Sequence, residues 1–330
     1  MKLYYKKINH FVEAQNKRKK LLTPGPASLL VENIVGLEPS FGRGDKSYQK
    51  IENSVLNKLK KISGHKHIVR SQGAASLALE IMIANFLYGK ILVIKTGIYS
   101  DRLYDMCISA KENFKKIKKI KYIDWKKIKN VRRKFDWIVG CYVETSVGLK
   151  VPIKDLFFLK KKVKAKLAVD ATASIGLEKS HNFADVIGYS SCKGLFGLTG
   201  ACFVAFNKFP KKNINQFNLN LFNHLEKKMT GPYHAICSLK NVLTKHEDFK
   251  YSVKVNKMKI MKKMKKNLVF KNEFQPLICT YINKKIYSKD KKVIFYKPRA
   301  DIKGSIVCHL GEVHYKKNAK GKIIDNLFLK

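Results

Sequence analysis

Acidic residues are scarce in this 330-residue chain: 24 Asp and Glu stand against 68 Lys and Arg, a net charge of +44. Arginine is scarce too, since only seven of the 68 basic residues are Arg. Arg is the residue preferred for bidentate contacts to phosphates and bases, and the lysines are spread along the chain. We therefore interpret the charge as a solvated basic surface that can steer anionic substrates, and we expect no nucleic-acid partner.

Long apolar runs and cysteine motifs are also missing. No stretch of 18 or more apolar residues occurs, and residues 1–20 contain no apolar segment typical of a secretory signal. We therefore expect a cytoplasmic protein without membrane contact. The seven cysteines follow no disulfide-framework spacing and form no Cys-x-x-Cys or Cys/His cluster. This pattern predicts reduced thiols and no metal site.

Apolar strands alternate with helix-length segments over the first two thirds of the chain. Their residues are apolar in succession, which is typical of a parallel sheet covered on both faces. We predict five such strands, at 90–97, 135–145, 164–172, 184–191 and 200–206. Apolar positions at helical spacing predict a helix within 46–62.

The domain organisation follows from length and from a change of pattern near residue 240. We expect an α/β fold with a mostly parallel sheet covered by helices. Its parts are an N-terminal arm at 1–20, a large domain at 21–240 and a small, shortened α+β domain at 241–330.

Three features lie where the predicted strands end, the edge of a parallel sheet at which ligands bind. Asp170 ends one strand, Lys193 follows the next, and residues 73–76 open an apolar helix whose free N–H groups favour a phosphate. Alone, each is more often a capping residue, a surface lysine or a close-packed helix start. Together, a carboxylate, a lysine and a phosphate cradle are what pyridoxal phosphate (PLP) requires, so their joint spacing predicts this cofactor.

Several segments around these residues match known motifs. They are Thr23-Pro24-Gly25-Pro26, Gly73-Ala74-Ala75-Ser76, Thr96 to Arg102, Glu144 to Gly148, Val169-Asp170-Ala171, Ser190 to Lys193 and Thr230 to His234. This set resembles class V aminotransferases of PLP fold type I, in particular the branch of 2-aminoethylphosphonate–pyruvate transaminase and serine–glyoxylate aminotransferase. The resemblance covers roughly residues 20–240 and implies the seven-stranded type of sheet found in that fold.

The resemblance also implies a role for each matching residue. Lys193 would be the Schiff-base lysine, and Asp170 would hold the pyridine nitrogen of the cofactor. Tyr99 would stack on the ring, and Thr145 would lie near the ring hydroxyl. The remaining cofactor contacts would come from Gly73, Ala74, Ala75, Ser76, Ser190 and Thr230. Since Thr230 would reach the phosphate of the neighbouring subunit, a homodimer is expected.

The chain departs from the family at the residues that would bind the substrate and at one that would bind the phosphate. The family arginine that clasps a substrate carboxylate is replaced by Ile306, and Ala74 removes one phosphate-binding hydroxyl. A bidentate arginine is hard to replace. Arg43, Arg102 and Arg299 are therefore the candidates for contacts to an anionic substrate.

The resemblance predicts amino-group transfer from a small amine to a 2-oxo acid such as pyruvate. The amine could be 2-aminoethylphosphonate, a related phosphonate or phosphate amine, or an amino acid. One alternative keeps the fold but acts as a PLP-dependent lyase or cysteine desulfurase, with Cys279 or Cys308 as the thiol, although Cys308 stands among apolar residues and is expected to be buried. Another is a catalytically degenerate basic binding module, which the high charge favours and the intact Asp170 and Lys193 oppose.

Overall fold

A computed structural model of the chain describes residues 2–38, 44–211, 214–311, 313 and 323–329. Its strands are β1 (Lys20–Leu22), β2 (His67–Gln72), β3 (Gly89–Lys95), β4 (Ile117–Asp124), β5 (Trp137–Cys141), β6 (Val143–Glu144), β7 (Leu149–Lys150), β8 (Lys166–Asp170), β9 (Val186–Ser190), β10 (Ala201–Phe206), β11 (Cys279–Ile282), β12 (Ile286–Ser288), β13 (Val293–Phe295), β14 (Ser305–Cys308) and β15 (Leu327–Leu329). Its α-helices are α1 (Lys2–Asn16), α2 (Val31–Val35), α3 (Lys46–Ser63), α4 (Ala75–Phe86), α5 (Ile98–Phe114), α6 (Ile153–Lys162), α7 (Leu221–Leu225), α8 (Tyr233–Val242) and α9 (His246–Lys263).

Seven strands form the central sheet, in the order β2-β10-β9-β8-β5-β3-β4. Strand β10 runs antiparallel to both of its neighbours, and the remaining pairs are parallel. The predicted α/β fold with a mostly parallel, seven-stranded sheet is confirmed. All five predicted strands are present as β3, β5, β8, β9 and β10, and the predicted helix is α3.

Helices cover the sheet on both faces, and this explains why its strands are apolar in succession. Neighbouring residues of β5 point to opposite sides: Ile138 joins the apolar cluster that includes Leu59 of α3, whereas Val139 joins the cluster that includes Met82 of α4. Both strand residues are fully buried. A strand of this kind has no solvent face on which polar residues could alternate.

Strands β2 and β4 are sheet strands that the apolar pattern did not indicate. Strand β4 lies at one edge of the sheet and carries exposed lysines, which an edge position tolerates. Strand β2 contains the buried Arg70, whose Nε lies 2.6 Å from Oε1 of the buried Glu52 in α3. A buried charge of this kind is accommodated because it is paired and hydrogen-bonded.

The C-terminal part contains α9 and three small two-stranded sheets. Strand β11 pairs with β14 and β12 with β15, both antiparallel, while β1 near the N-terminus pairs in parallel with β13. The division of the chain at residues 20 and 240 remains a prediction. Within the described ranges, no helix is both long and apolar enough to cross a membrane.

Candidate active site

A cavity of about 370 Å³ opens beside the carboxyl ends of β5, β8 and β9. The predicted site residues that line it are Gly73, Ala74, Ala75, Ser76, Tyr99, Arg102, Thr145, Asp170, Ser190 and Lys193. The structure thus brings together around one cavity residues that are up to 120 positions apart in the chain. This convergence follows from the topology, because parallel strands present their carboxyl ends at the same edge.

Asp170 is the last residue of β8 and is buried. Its Oδ1 accepts a hydrogen bond of 2.8 Å from the Thr172 N–H. Burial raises the pKa of the Asp170 carboxyl, whereas the side chain and N–H of Thr172 and the charges of Lys193 and Arg102 lower it. The carboxylate is therefore partly desolvated and faces positive charge, which suits a partner that carries a proton on a ring nitrogen.

Lys193 lies just beyond the end of β9, in the loop that leads to β10. Its Nζ lies 5.6 Å from the ring centroid of Tyr99, and Cζ of Arg102 lies 5.5 Å from the same centroid. Gly25 packs against the aliphatic part of the lysine, since a Cβ atom at Gly25 would come within 2.8 Å of Lys193 Cγ. The lysine is thus held between an N-terminal turn and an aromatic ring.

The loop that carries Lys193 is anchored by segments from distant parts of the chain. Three hydrogen bonds reach its carbonyl groups, from Ala27 N to Cys192 O (2.8 Å), from Asn33 Nδ2 to Phe196 O (2.9 Å) and from His246 Nε2 to Gly194 O (2.9 Å). Rigid support of this kind keeps a reactive side chain in one orientation.

Tyr99 is positioned by the buried carboxylate of Glu144. One oxygen of Glu144 accepts the N–H groups of Tyr99 and Ser100, each at 3.1 Å, at the start of α5. The same carboxylate accepts hydrogen bonds from the hydroxyls of Thr96 and Ser146. An anion at a helix N-terminus satisfies free N–H groups and the helix dipole, so Glu144 fixes the first turn that carries Tyr99.

The start of α4 forms the proposed phosphate cradle. The N-cap of α4 is Ala74, whose side chain makes no capping hydrogen bond, and Ser76 lies in the first turn. Free N–H groups at such an end bind anions. Within the described ranges Arg102 forms no salt bridge, and it lines the cavity together with this first turn. Its charge is therefore available to an anion there.

Two threonine hydroxyls bear on whether the cavity fits the cofactor. Thr145 and Thr172 line the cavity, and their hydroxyl oxygens are buried and have no hydrogen-bond partner among the described residues. Buried polar atoms normally find a partner, so two orphan hydroxyls beside a cavity are expected to gain one when a polar molecule occupies it, either from that molecule or from a side chain that it orients. Together with Lys193, Asp170 and the first turn of α4, they fit the groups of pyridoxal phosphate.

Other predicted residues lie elsewhere. Arg299 is exposed, and neither Arg299 nor Thr230, which is also exposed, lines the cavity. Arg43 lies outside the described residues. Ile306, which stands at the family arginine, is buried in β14 opposite Tyr281, so no cation replaces that arginine at the same position.

Cys279 and Cys308 are both buried and lie directly opposite each other in β11 and β14. Burial raises the pKa of the Cys308 thiol well above its usual range. The expectation that Cys308 is buried is therefore confirmed. A thiol in this environment is a poor nucleophile, which weakens the desulfurase alternative.

Some residues near the cavity gave a weak signal in the sequence. Thr172 follows the Asp170 motif by one residue, and only the structure shows that it lines the cavity and that its buried hydroxyl has no partner among the described residues. Tyr296 has a buried hydroxyl that makes no hydrogen bond within the described ranges, and burial and the proximity of Tyr99 raise its pKa. No local pattern singles out Tyr296, because its neighbours come from distant segments.

Known proteins resemble the chain in sequence and in fold. No model of a known protein family matches it. A 2-aminoethylphosphonate–pyruvate transaminase of Pseudomonas aeruginosa is 25% identical over 252 residues, which cover 69% of this chain and 68% of that protein. An aspartate aminotransferase of subgroup IV from Thermus thermophilus superposes with a TM-score of 0.77 at 16% identity, covering 92% of this chain and 97% of that one. An alanine–glyoxylate aminotransferase from Nostoc sp. also superposes with a TM-score of 0.77 at 16% identity, covering 93% of this chain and 94% of that one.

Proposed function

We propose that this chain, a class V PLP-dependent aminotransferase of fold type I, transfers an amino group from a small phosphonate- or phosphate-bearing amine to a 2-oxo acid such as pyruvate. The observation that carries the proposal is the meeting of Lys193, Asp170, Tyr99 and the first turn of α4 around one cavity. A lysine, a buried carboxylate, an aromatic ring and an anion cradle are the set of groups that this chemistry requires.

Residues of this chain would hold the cofactor at three points. The N–H groups and Ser76 hydroxyl at the start of α4 would bind its phosphate, with the positive charge of Arg102 nearby. Asp170 would hold a proton at the ring nitrogen, and Tyr99 would restrain the ring plane. When bound, pyridoxal phosphate supplies an electron sink for the bonds of the substrate carbon.

Lys193 is the residue that would move the proton in the reaction. Its Nζ would hold the resting cofactor and would act as the general base that takes a proton from the substrate carbon. The anchored loop and Gly25 hold this amine in place. Because donor and acceptor would use the same site in turn, ping-pong kinetics are expected.

The substrate assignment has separate support. The P. aeruginosa relative is named for 2-aminoethylphosphonate and pyruvate. Without the family arginine, Arg102 is the guanidinium that lines the cavity and could attract an anionic group of either substrate. The excess of basic residues would draw anions toward the site.

We also propose a homodimer. Thr230 is exposed and does not line the cavity of its own chain, as expected of a residue that serves a neighbouring site. Sedimentation equilibrium would give twice the mass of one chain, and a monomeric mass at the concentration of full activity would contradict this.

A transfer assay tests the proposed function. The protein is supplied with pyridoxal phosphate, 2-aminoethylphosphonate and pyruvate, and alanine is measured by chromatography. Alanine should form only when both substrates are present, and it should disappear in Lys193→Ala but persist in Lys208→Ala, which changes an exposed lysine outside the cavity. No amino transfer from any phosphonate, phosphate or carboxylate amine would contradict the proposal. Sulfide release from cysteine would support the desulfurase alternative instead.

A further inference from the structure

Thr172 has a position in the cavity that the proposed function does not use. Its backbone N–H donates to Oδ1 of Asp170 at 2.8 Å. Thr172 lines the cavity, and its buried hydroxyl makes no hydrogen bond with any described residue. The bond from its N–H places Thr172 beside the Asp170 carboxylate, and the side chain of Thr172 lowers the pKa of that carboxyl.

Asp170 needs support to stay charged in this environment. The carboxylate is buried, and burial favours the neutral acid. A neutral acid would not form an ion pair with a protonated ring nitrogen. The groups that oppose this effect are the N–H and side chain of Thr172 and the positive charges of Lys193 and Arg102, while the nearby Cys141 thiol is buried and neutral. Among the described residues, Thr172 is thus the one whose backbone N–H hydrogen-bonds the carboxylate.

We propose that Thr172 is a positioning residue that donates its hydroxyl proton to Asp170 when the cofactor is bound, and so holds the carboxylate charged and directed at the ring nitrogen. A threonine hydroxyl rotates freely about its Cβ–Oγ bond, so it can turn toward the carboxylate without any backbone movement. A hydrogen bond to an ionised acceptor is among the stronger ones in proteins. The inference rests on the proposed function, since it requires the cofactor to bind beside Asp170.

The test compares Thr172→Val, which removes the hydroxyl at similar volume, with Thr172→Ser, which retains it. The dissociation constant of pyridoxal phosphate is measured by fluorescence titration of the cofactor-free protein, and the absorption of the bound cofactor is followed from pH 5 to 9. Thr172→Val should raise the dissociation constant roughly 10-fold, about 1.4 kcal/mol, and should shift the pH midpoint of the absorption change. Thr172→Ser should stay within about twofold of the wild type, because it keeps the donor.

A double-mutant cycle with Asp170→Asn decides whether Thr172 acts through the carboxylate. In the Asp170→Asn background, Thr172→Val should have little further effect on either readout. An unchanged dissociation constant and pH midpoint in Thr172→Val would overturn the inference, as would an equal effect in both backgrounds. If the wild type itself binds no pyridoxal phosphate, the proposed function fails and the inference fails with it. Thermal unfolding of each cofactor-free variant separates these results from misfolding.

Discussion

Close backbone approach at single residues shapes the environment of the reactive lysine. Gly25 has a φ of +139°, which side-chain-bearing residues rarely adopt, and its Cα faces the Lys193 side chain. A Cβ atom there would lie 2.8 Å from Lys193 Cγ, well inside van der Waals contact. The absence of a side chain at residue 25 is therefore part of the site.

Gly25→Ala should displace Lys193 as well as strain the backbone. We expect the pyridoxal phosphate dissociation constant to rise about 10-fold and unfolding to become easier by about 1–3 kcal/mol. Gly44→Ala is the matched control, because Gly44 also has a positive φ (+87°) but open space around its Cα. The Gly44→Ala control should lose stability but bind pyridoxal phosphate as the wild type does. If both variants bound the cofactor as the wild type does, the contact with Lys193 would have no role.

At the scale of elements, the first turn of α5 depends on one carboxylate from another strand. Glu144 of β6 accepts the N–H groups of Tyr99 and Ser100, and its own side chain is buried. Removing its charge should loosen the turn that carries Tyr99. The turn contributes the aromatic ring against which the lysine lies.

Glu144→Gln keeps the shape of the side chain and removes its charge. Because hydrogen bonds to a charged group contribute about 1.5–3 kcal/mol, we expect the free energy of unfolding to fall by that order in urea titrations. Amide hydrogen exchange should become faster at the start of α5. Glu80 in α4 is exposed, so the control Glu80→Gln should change neither the free energy of unfolding nor the exchange rate at the start of α5. Unchanged exchange at Tyr99 and Ser100 would show that other contacts hold the turn.

The strands that the sequence predicted share one property: they are buried on both faces. Strands β3, β5, β8, β9 and β10 are recognisable because continuous burial requires continuous apolarity. Strand β4 was not recognised because an edge strand can carry lysines, and β2 because its Arg70 is compensated by Glu52 from another element. Compensation between distant residues leaves no local pattern.

The same distinction holds within the site. The position of Asp170 and Lys193 at one cavity could be predicted because Asp170 ends an apolar strand and Lys193 closely follows another, each in a recognisable motif. The exposure of Arg299 and the burial of the Tyr296 hydroxyl could not be predicted from the sequence. Both depend on how the C-terminal strands pack against the large sheet. The sequence showed that Ile306 stands where the family that it resembles has an arginine, but only the structure shows that Ile306 is buried in β14.

At the scale of the whole molecule, buried histidines make stability depend on pH. Burial lowers the pKa of His181 and of His309 to about 3. The pKa of histidine in the unfolded chain is about 6.5. Both histidines therefore contribute stability above that pH, and this contribution is lost as the pH falls toward 3. Protons bind the unfolded chain preferentially throughout this window.

Urea unfolding at pH 7.5, 6.5 and 5.5 should therefore show decreasing stability. Each neutral histidine contributes a slope of up to about 1.4 kcal/mol per pH unit below its unfolded pKa. In His181→Gln, the free energy of unfolding should depend less steeply on pH, by the slope that one proton contributes. Buried Asp170 and Glu144 have raised pKa values and oppose the trend at lower pH, so the difference between variant and wild type is the decisive quantity. Equal slopes would contradict a neutral His181 in the folded state.

The most direct test of the account is the absorption spectrum of the protein with pyridoxal phosphate, before and after borohydride reduction. A protein-linked cofactor should absorb near ~420 nm, lose this band on reduction, and leave the cofactor fixed on the peptide that contains Lys193, as read by mass spectrometry. Lys208→Ala should behave as the wild type, and Lys193→Ala should show neither the band nor the modified peptide. A wild type without the band, or with the cofactor fixed on other lysines, would contradict the assignment of this cavity as the active site.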